Sequence, residues 1–581
     1  MFKFLKRLKG YWWLVALIIV LTCVQVIFDF LLPNLMGEII KMIQSSDAGV
    51  DMNAVVLTAV QMIFVALGSG LMGVSTCILA SKVTAKMMAR VRYELYSKIA
   101  QFSENEMNKY SVSSLITRTT NDITNVSNTY VLLFRFMLYG PLLAVGAFVF
   151  LLSSGCKYQL ICVVAGAVLL LALIIFAVVR LALPRFASMQ KRIDKVNLIT
   201  KENLEGLRVV RAYNAEAYQE EKFTKVNDSL TKDDKFANRA LGFLMPGIQL
   251  TVGLMMIAIS LVSANLISDP NSGFYYHQMT VVIQFAGLLL TGFVLMVIIL
   301  VMIPRSTICA KRINEVIETP IEVKDNKETE RYNEVGTVEF KDVSFTYPGG
   351  GAPSLKKINF KVNKGETLAF IGATGSGKTT LLNLIQRFYD TSTGQVLVDG
   401  LDVKKYKLAD LYKKFGYVPQ KPYLFHDSLR NNVCLGIPNA TDEELQEALD
   451  ISQSNEFVSK LTNGVNYEIS QGGKNVSGGQ RQRLSIARAI ITKPEIFIFD
   501  DSFSALDYKT DKVLRGEIKK RCKGVTNIIV AQRVGTIMDA DQIIVLDNGN
   551  MVGKGTHKEL LKTCKVYKEI ALSQLSKEEL A

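Results

Sequence analysis

The feature that most constrains the fold of this 581-residue chain is a set of six long apolar segments toward its N-terminus. Each is long enough to cross a bilayer, which takes about 20 apolar residues. They span residues 11–33, 54–80, 130–152, 159–183, 241–267 and 274–303. Because lipid offers no hydrogen-bond partner to a bare backbone, each segment must be a helix. The sequence therefore predicts an all-α membrane domain with six transmembrane helices.

The connections between these segments differ in positive charge. The three short connections carry only Lys41 and Lys157, whereas the long connections 81–129 and 184–240 carry seven and twelve lysines or arginines. Loops rich in lysine and arginine stay on the cytoplasmic side of a membrane. We therefore expect a multi-pass protein of the cell membrane, with both termini, both long connections and the second half of the chain in the cytoplasm.

The net charge of +14 follows the same distribution. Its basic residues collect beside membrane segments and form no basic groove with interleaved aromatic residues, so no nucleic acid is expected as a partner. The eight cysteines are scattered without the spacing of a metal site.

The second half of the chain contains a phosphate-binding motif of the form G-x-x-x-x-G-K-[ST]. Its residues are Gly372, Ala373, Thr374, Gly375, Ser376, Gly377, Lys378, Thr379 and Thr380. Backbone N–H groups of such a loop surround phosphate oxygens, Lys378 neutralises the β- and γ-phosphates, and Thr379 holds Mg²⁺. The alternative is a glycine-rich turn without a ligand. An apolar strand-like run before the motif and a helical run after it favour the phosphate site.

A second motif resembles the signature of the ATP-binding-cassette (ABC) transporters. Its residues are Ser477, Gly478, Gly479 and Gln480. Residues 496–500 are similar to the Walker B strand of that family, and residues 504–507 are similar to its D-loop. The resemblance implies an α/β P-loop ATPase domain that binds ATP and Mg²⁺, with the signature contacting the ATP that a partner chain holds.

Two more positions carry expectations from the same resemblance. Tyr347 is similar to the aromatic residue that stacks on adenine. Gln420 is similar to the Q-loop glutamine, which takes part in catalysis and binds Mg²⁺ together with Thr379 and Asp500. The resemblance covers the first half as well, because six helices with two long intracellular extensions are similar to the membrane domain of ABC exporters.

The exporter resemblance implies a division of the chain. It predicts an N-terminal elbow helix at 1–10, a transmembrane domain at 11–310, a linker at 311–336 and an ABC ATP-binding domain at 337–581. Residues 113–122 and 206–216 resemble the two intracellular loops. By this resemblance each loop ends in a short coupling helix on an ATPase domain, and the second docks on the domain of the partner chain.

Two positions depart from the family pattern. The Walker B aspartate is normally followed by a glutamate general base, and here Asp501 stands in that place. The family's switch histidine is replaced by Gln532, which can neither carry a positive charge nor shuttle a proton. We therefore predict a degenerate ATP site that hydrolyses ATP poorly, in one half of a heterodimeric exporter of the bacterial multidrug type. A slow homodimer is the alternative.

The sequence constrains the identity of the transported molecule less than it constrains the ATP site. A small hydrophobic or amphipathic compound is the first interpretation, and a lipid or peptide is the second. An importer is disfavoured, because importers usually keep membrane and ATPase parts on separate chains, and an intact signature disfavours a channel without pumping. Gln25, Asp29, Gln249 and Gln284 are polar within apolar segments, either as substrate contacts or as interhelical hydrogen bonds. For Asp29 a cation contact and a position near the outer interface are also open. Arg135 is expected to snorkel or to lie on a cytoplasmic extension.

Overall fold

The structure is a computed structural model that describes residues 2–8, 10–44, 50–153, 156–269, 272–332 and 334–575. It divides into two compact units. The first comprises Met1–Ala100 and Val112–Glu318, and the second comprises Gln101–Ser111 and Thr319–Ala581.

The first unit is helical. Among the described residues, six of its helical stretches are long and apolar enough to cross a membrane, which confirms the predicted six-helix architecture. The helices up to the end of this unit are α1 Phe2–Leu5, α2 Trp12–Gln44, α3 Met52–Ala100, α4 Glu104–Lys109, α5 Val112–Thr117, α6 Ile123–Ser153, α7 Tyr158–Glu205, α8 Leu207–Ala212, α9 Glu216–Gly242, α10 Leu244–Ser268 and α11 Tyr276–Glu318. A π-helical turn, Arg118–Asp122, joins α5 to α6.

The membrane helices run well past their apolar segments. The α3 helix has 49 residues, a length of about 74 Å against a hydrocarbon core of about 30 Å. The connection 81–129, which the sequence marks only as polar, is therefore largely helix. Hydropathy predicts only the part of a helix that lies in lipid. Outside lipid a helix continues as long as one of its faces packs against a neighbouring element.

The last membrane helix also passes its predicted boundary. Helix α11 continues to Glu318, so residues 311–318, predicted as the start of the linker, are helical. Ala310, Ile313 and Val316 are buried at a spacing of three residues. This apolar stripe keeps the helix packed against its neighbours beyond the membrane segment.

The second unit is built on a six-stranded sheet with the order β12-β11-β3-β10-β9-β6, parallel except for the edge strand β12. An antiparallel sheet, β2-β1-β4-β5, and a two-stranded sheet, β7-β8, accompany it. The strands are β1 Val338–Phe345, β2 Leu355–Val362, β3 Thr367–Gly372, β4 Thr393–Val398, β5 Leu401–Asp402, β6 Phe415–Val418, β7 Asp427–Ser428, β8 Glu468–Ile469, β9 Ile496–Asp500, β10 Thr526–Val530, β11 Gln542–Asp547 and β12 Asn550–Gly555. The predicted α/β fold is confirmed.

Helices cover this sheet. They are α12 Lys378–Ile385, α13 Leu408–Lys413, α14 Leu429–Val433, α15 Asp442–Ile451, α16 Asn455–Val458, α17 Gly478–Ile490, α18 Tyr508–Arg521, α19 Val534–Ile537, α20 His557–Thr563 and α21 Lys565–Gln574. Successive residues of β3 alternate between two cores: Leu368 and Phe370 pack on the side of the antiparallel sheet, and Ala369 and Ile371 pack on the other. A central strand buried on both faces is fully apolar for this reason.

The short helix α4 belongs to the second unit. Its Asn108 amide donates to the Tyr389 hydroxyl at 3.1 Å, and Glu106 accepts a hydrogen bond from the Glu322 backbone at 3.2 Å. A capping box with Ser103 starts the helix. Residues 113–122, which resemble the first intracellular loop, form α5 and the π-helical turn and lie in the first unit, so α4 precedes the residues that carry the family resemblance.

Candidate functional site

The predicted P-loop, Walker B, switch and Q-loop residues meet at one edge of the six-stranded sheet. The P-loop follows β3, Gln532 follows β10, Asp500 ends β9 and Gln420 follows β6. These four strands are neighbours and run in the same direction. Ligands of α/β proteins bind beyond the carboxyl ends of such strands, where the connecting loops leave a crevice.

The P-loop has the backbone that its glycines permit. Gly375 and Gly377 have φ values of +83° and +103°, in the region that favours glycine. Lys378 begins α12, and its ammonium donates to the carbonyls of Gly372 and Ala373 at 2.8 Å each. Burial lowers the pKa of Lys378. The loop thus holds a partly desolvated cation at a helix N-terminus, an arrangement suited to a phosphate group.

Two oxygen donors lie beside the P-loop lysine. The Thr379 hydroxyl is 3.4 Å from the Asp500 carboxylate. Burial, together with the nearby Asp501 charge, raises the pKa of Asp500 to about 6. Hydroxyl and carboxylate oxygens are the ligands that Mg²⁺ prefers, and a buried carboxylate short of positive charge gains from a cation. These residues therefore fit a magnesium ion.

Asp501 is held by the two glutamines of the site. Its carboxylate accepts a hydrogen bond from the Gln532 amide at 2.8 Å and another from the Gln420 amide at 3.3 Å. Both bonds reach the same oxygen, Oδ2. The residue is buried, with a φ of +48° that is unusual outside glycine. One oxygen of its side chain is therefore held by two neutral amide groups.

The predicted adenine contact lies in an aromatic cluster. Tyr347 packs edge-on against Phe345 and Tyr389, with ring centroids 4.8 and 5.2 Å apart. The Tyr347 hydroxyl is 3.0 Å from the Thr380 hydroxyl of α12. The ring is only partly buried. It is thus positioned next to the P-loop helix and retains a face for a planar ligand.

The signature residues form the start of a helix. Ser477 caps α17, and its hydroxyl accepts a hydrogen bond from the Gln480 backbone at 3.3 Å. The Gln480 side chain in turn accepts from the Ser477 backbone at 2.8 Å. A Cβ added at Gly478 would meet nothing within 4 Å. The helix N-terminus is thus open and carries partial positive charge, which favours an anion.

Comparison with known proteins decides the family. The chain matches the profile of the ABC transporter transmembrane region over residues 15–293 and that of the ABC transporter over residues 355–504. An uncharacterized ABC transporter ATP-binding protein of Mycobacterium tuberculosis is 33% identical over 577 residues, covering 98% of this chain and 97% of that protein. The chain belongs to the ABC transporter family.

Other relatives of this ABC transporter carry more specific names. An ATP-dependent lipid A-core flippase of Pseudomonas fluorescens is 31% identical over 486 residues, covering 83% of this chain and 79% of that protein. The solved structure of a bacterial Atm1-family ABC exporter with ATP bound has a TM-score of 0.82 at 22% identity and covers 98% of both chains. The predicted fusion of a membrane domain and an ATPase domain is confirmed. The protein is an ATP-driven transporter with the exporter fold.

One contact of this ABC transporter's site was missed in the sequence. Gln574, at the end of α21, donates to the Gln532 carbonyl and accepts from the Val534 backbone, each at 2.8 Å. It therefore positions the segment that carries the switch residue. Gln574 belongs to no motif, and only its tertiary placement identifies it.

Proposed function

We propose that this ABC transporter is one half of a heterodimer that exports hydrophobic or amphipathic compounds, of the multidrug type, across the cell membrane. In this proposal the ATP site on the chain's own P-loop is degenerate. The observation that carries the proposal is the geometry of Asp501, whose carboxylate is engaged by the Gln532 and Gln420 amides.

Asp501 stands at the position of the general base in the family pattern. Asp501 is one methylene shorter than glutamate, so its carboxylate falls short of the attacking water by roughly 1 Å. A misplacement of this size strongly lowers the rate of ATP hydrolysis. Its Oδ2 is already occupied by two amide donors. A positioned general base contributes about 10²–10⁴-fold. Since Gln532 cannot replace a protonated histidine, both changes weaken the same chemical step.

The remaining site residues are assigned the roles that the family pattern suggests. Tyr347 and the loop Gly372–Thr380 bind the nucleotide, and Thr379, Gln420 and Asp500 hold Mg²⁺. Bound Mg²⁺ neutralises charge on the phosphate oxygens. Ser477, Gly478, Gly479 and Gln480 contact the ATP held by the partner's P-loop. This last role explains why the signature keeps an open helix N-terminus although the chain's own base is impaired.

The coupling to transport follows from the same assignment. ATP shifts the pair toward the closed state through its higher affinity for that state, in which the Ser477 end of α17 meets the partner's nucleotide. In this proposal two short helices transmit the closure of the ATPase domains to the membrane helices. One is α4, which is bonded to Tyr389. The other is α8, which is mostly exposed and docks on the partner chain. The ATPase domain and both termini lie in the cytoplasm in this arrangement.

A lipid exporter is the second candidate. It is favoured by the relatives named ATP-dependent lipid A-core flippases, which are 31% and 30% identical to this chain. A peptide exporter or a slow homodimer would use the same site residues, and the ATPase experiment below separates the homodimer from the pair.

The first test measures ATP hydrolysis in nanodiscs. We expect this chain alone to be nearly silent and the co-purified pair to be active. Asp501→Glu combined with Gln532→His should raise the activity of the chain alone by about 10²-fold or more, because both changes restore the family's base and switch. Gln453→His, an exchange of the same type outside the site, serves as control. Strong hydrolysis by the unmutated chain alone would refute the degenerate site and favour a homodimer.

The pKa of Asp500 leads to a second prediction. Because the folded-state pKa is raised to about 6, Asp500 gains a proton as the pH falls from 7 to 5. Its charged form binds the cation, so Mg²⁺-dependent ATP binding should weaken by roughly tenfold per pH unit below about 6. Calorimetry with and without EDTA measures this effect. The Asp500→Asn variant serves as the control for titration of the nucleotide itself. If ATP binding by this variant has the same pH dependence as binding by the wild type, the effect does not come from Asp500.

A further inference from the structure

A polar stripe lies where three membrane helices of the first unit meet. We call it the Asp29–Arg135 stripe. Its members are Gln25 and Asp29 of α2, Ser69, Gly73 and Cys77 of α3, and Arg135 and Tyr139 of α6. The three α3 residues are spaced by four positions and so share one helix face. All three helices are long and apolar enough to cross a membrane.

The acidic end of the stripe has only neutral partners. One Asp29 oxygen accepts a hydrogen bond from the Ser69 hydroxyl at 2.6 Å, and the other accepts from the Tyr139 hydroxyl at 2.8 Å. In the described part of the chain the carboxylate forms no ion pair. Tyr139 precedes the α6 end at Ser153 by about 21 Å of helix rise. Asp29 is therefore well inside this helix packing and not at the helix ends.

The basic end is also without an opposite charge. The Arg135 guanidinium contacts the Cys77 sulfur at 3.9 Å and lies 4.7 Å from the centre of the Phe136 ring. A thiol is a weak acceptor, and a guanidinium has five N–H donors. Among the described residues no carboxylate pairs with Arg135, and its side chain is only partly buried. Cys77 lies three residues before the end of the apolar segment 54–80, and Arg135 lies five residues after the start of 130–152, so the basic end of the stripe is near the cytoplasmic ends of both segments, where an arginine can snorkel.

The two charged side chains bond to residues on different turns of α3, Asp29 to Ser69 and Arg135 to Cys77. Ser69 and Cys77 are separated by about 12 Å of rise on α3, and Arg135 and Tyr139 are separated by about 6 Å on α6. Gly73 lies between them, where an added Cβ would be 3.2 Å from the Gln25 amide nitrogen. Because glycine has no side chain, position 73 leaves room for the Gln25 amide. This amide is a polar group between Asp29 and Arg135 along the stripe.

Charged groups inside a membrane are costly, and a purely structural pair lowers this cost by direct contact. Asp29 and Arg135 do not make that contact. We infer that the stripe binds a zwitterionic amphiphile, with an ammonium group at Asp29, a phosphate or carboxylate at Arg135, and the apolar part along the surrounding helices. This inference deepens the proposed function, on which it rests for transport. Amine-bearing phospholipids and hydrophobic peptides with free termini share this chemistry.

The test measures equilibrium binding to the full-length protein, with its partner chain, in nanodiscs without ATP. The lipid probes have identical fluorescent acyl chains and three headgroups: phosphoethanolamine, which is zwitterionic, phosphoglycerol, which is anionic, and trimethylammonium, which is cationic. The peptide probes are one fluorescent hydrophobic tripeptide with both ends free, with its C-terminus amidated, or with its N-terminus acetylated. In the series that supplies the natural ligand, the zwitterion should bind about tenfold more tightly than either singly charged form.

Charge-removing variants should give a crossed pattern. Asp29→Asn should weaken the zwitterion and the cation by about tenfold and spare the anion, whereas Arg135→Gln should weaken the zwitterion and the anion and spare the cation. Thr291→Val, which removes an α11 hydroxyl that donates to the Gly287 carbonyl of the same helix, should change none of them. Misfolding weakens all probes equally and cannot produce this pattern.

Equal binding of the three forms in both series by the wild-type protein would overturn the inference, even if no variant folds. So would equal losses for all probes in both variants. The proposed function is tested separately, by ATP-driven uptake of hydrophobic dyes into inverted vesicles. Uptake without charge-selective binding would refute only the zwitterion site, and charge-selective binding without uptake would refute only the exporter.

Discussion

Ser477→Arg in this chain should reduce ATP hydrolysis by the assembled pair by about 10²-fold or more. The substitution replaces the cap of α17, whose hydroxyl accepts from the Gln480 backbone, with a bulky cation at an open helix N-terminus. In the proposed arrangement this helix end stabilises the partner-held ATP, and the loss of one such group costs about 10²–10³-fold.

The informative comparison is with Lys378→Ala in the same chain. In the proposed arrangement Lys378 belongs to the degenerate site, where little hydrolysis is expected, so its loss should reduce turnover of the pair by less than about tenfold. Steady-state phosphate release in nanodiscs measures both variants. Ser459→Arg places the same side chain at an exposed position of the second unit and should leave turnover unchanged. Equal losses for Ser477→Arg and Lys378→Ala would mean that the two sites are equivalent.

Lys414→Met should destabilise the second unit by about 3–5 kcal/mol, the usual effect of breaking a buried ion pair. The Lys414 ammonium contacts the Asp399 carboxylate at 2.5 Å and the Glu495 carboxylate at 2.8 Å. It also lies 4.3 Å from the centre of the Tyr332 ring. Burial alone lowers the pKa of Lys414, but its hydrogen bonds to Asp399 and Glu495 hold that pKa above the usual value. Without the lysine, the fully buried Asp399 has no counter-charge.

Pulse proteolysis in urea, followed through a C-terminal tag on the full chain, measures this loss. Lys413→Met is the matched control, because the neighbouring Lys413 is exposed and its replacement should cost less than about 0.5 kcal/mol. Adding Asp399→Asn to Lys414→Met should recover part of the loss, since the unpaired charge is removed. Equal urea midpoints for the two methionine variants would show that the ion pair contributes nothing to stability.

The exporter fold could be predicted because its signals are local. An apolar segment of about 20 residues that crosses a bilayer must be a helix, and the P-loop motif is a strand, a loop and a helix start that are contiguous in the chain. The length of α3 and the end of α11 at Glu318 could not be predicted in this way. They depend on packing outside lipid, for which hydropathy carries no information.

By itself, the sequence determined the family and the two kinds of domain, because each of these is encoded by neighbours in the chain. Only the tertiary structure joined Asp501 to Gln532 and Gln420, added Gln574 behind the switch, and placed Asn108 of α4 on Tyr389. These contacts join residues far apart in the chain, such as Asn108 and Tyr389. Parallel strand order and helix packing decide such pairs, and neither leaves a pattern of spacing that can be read along the chain.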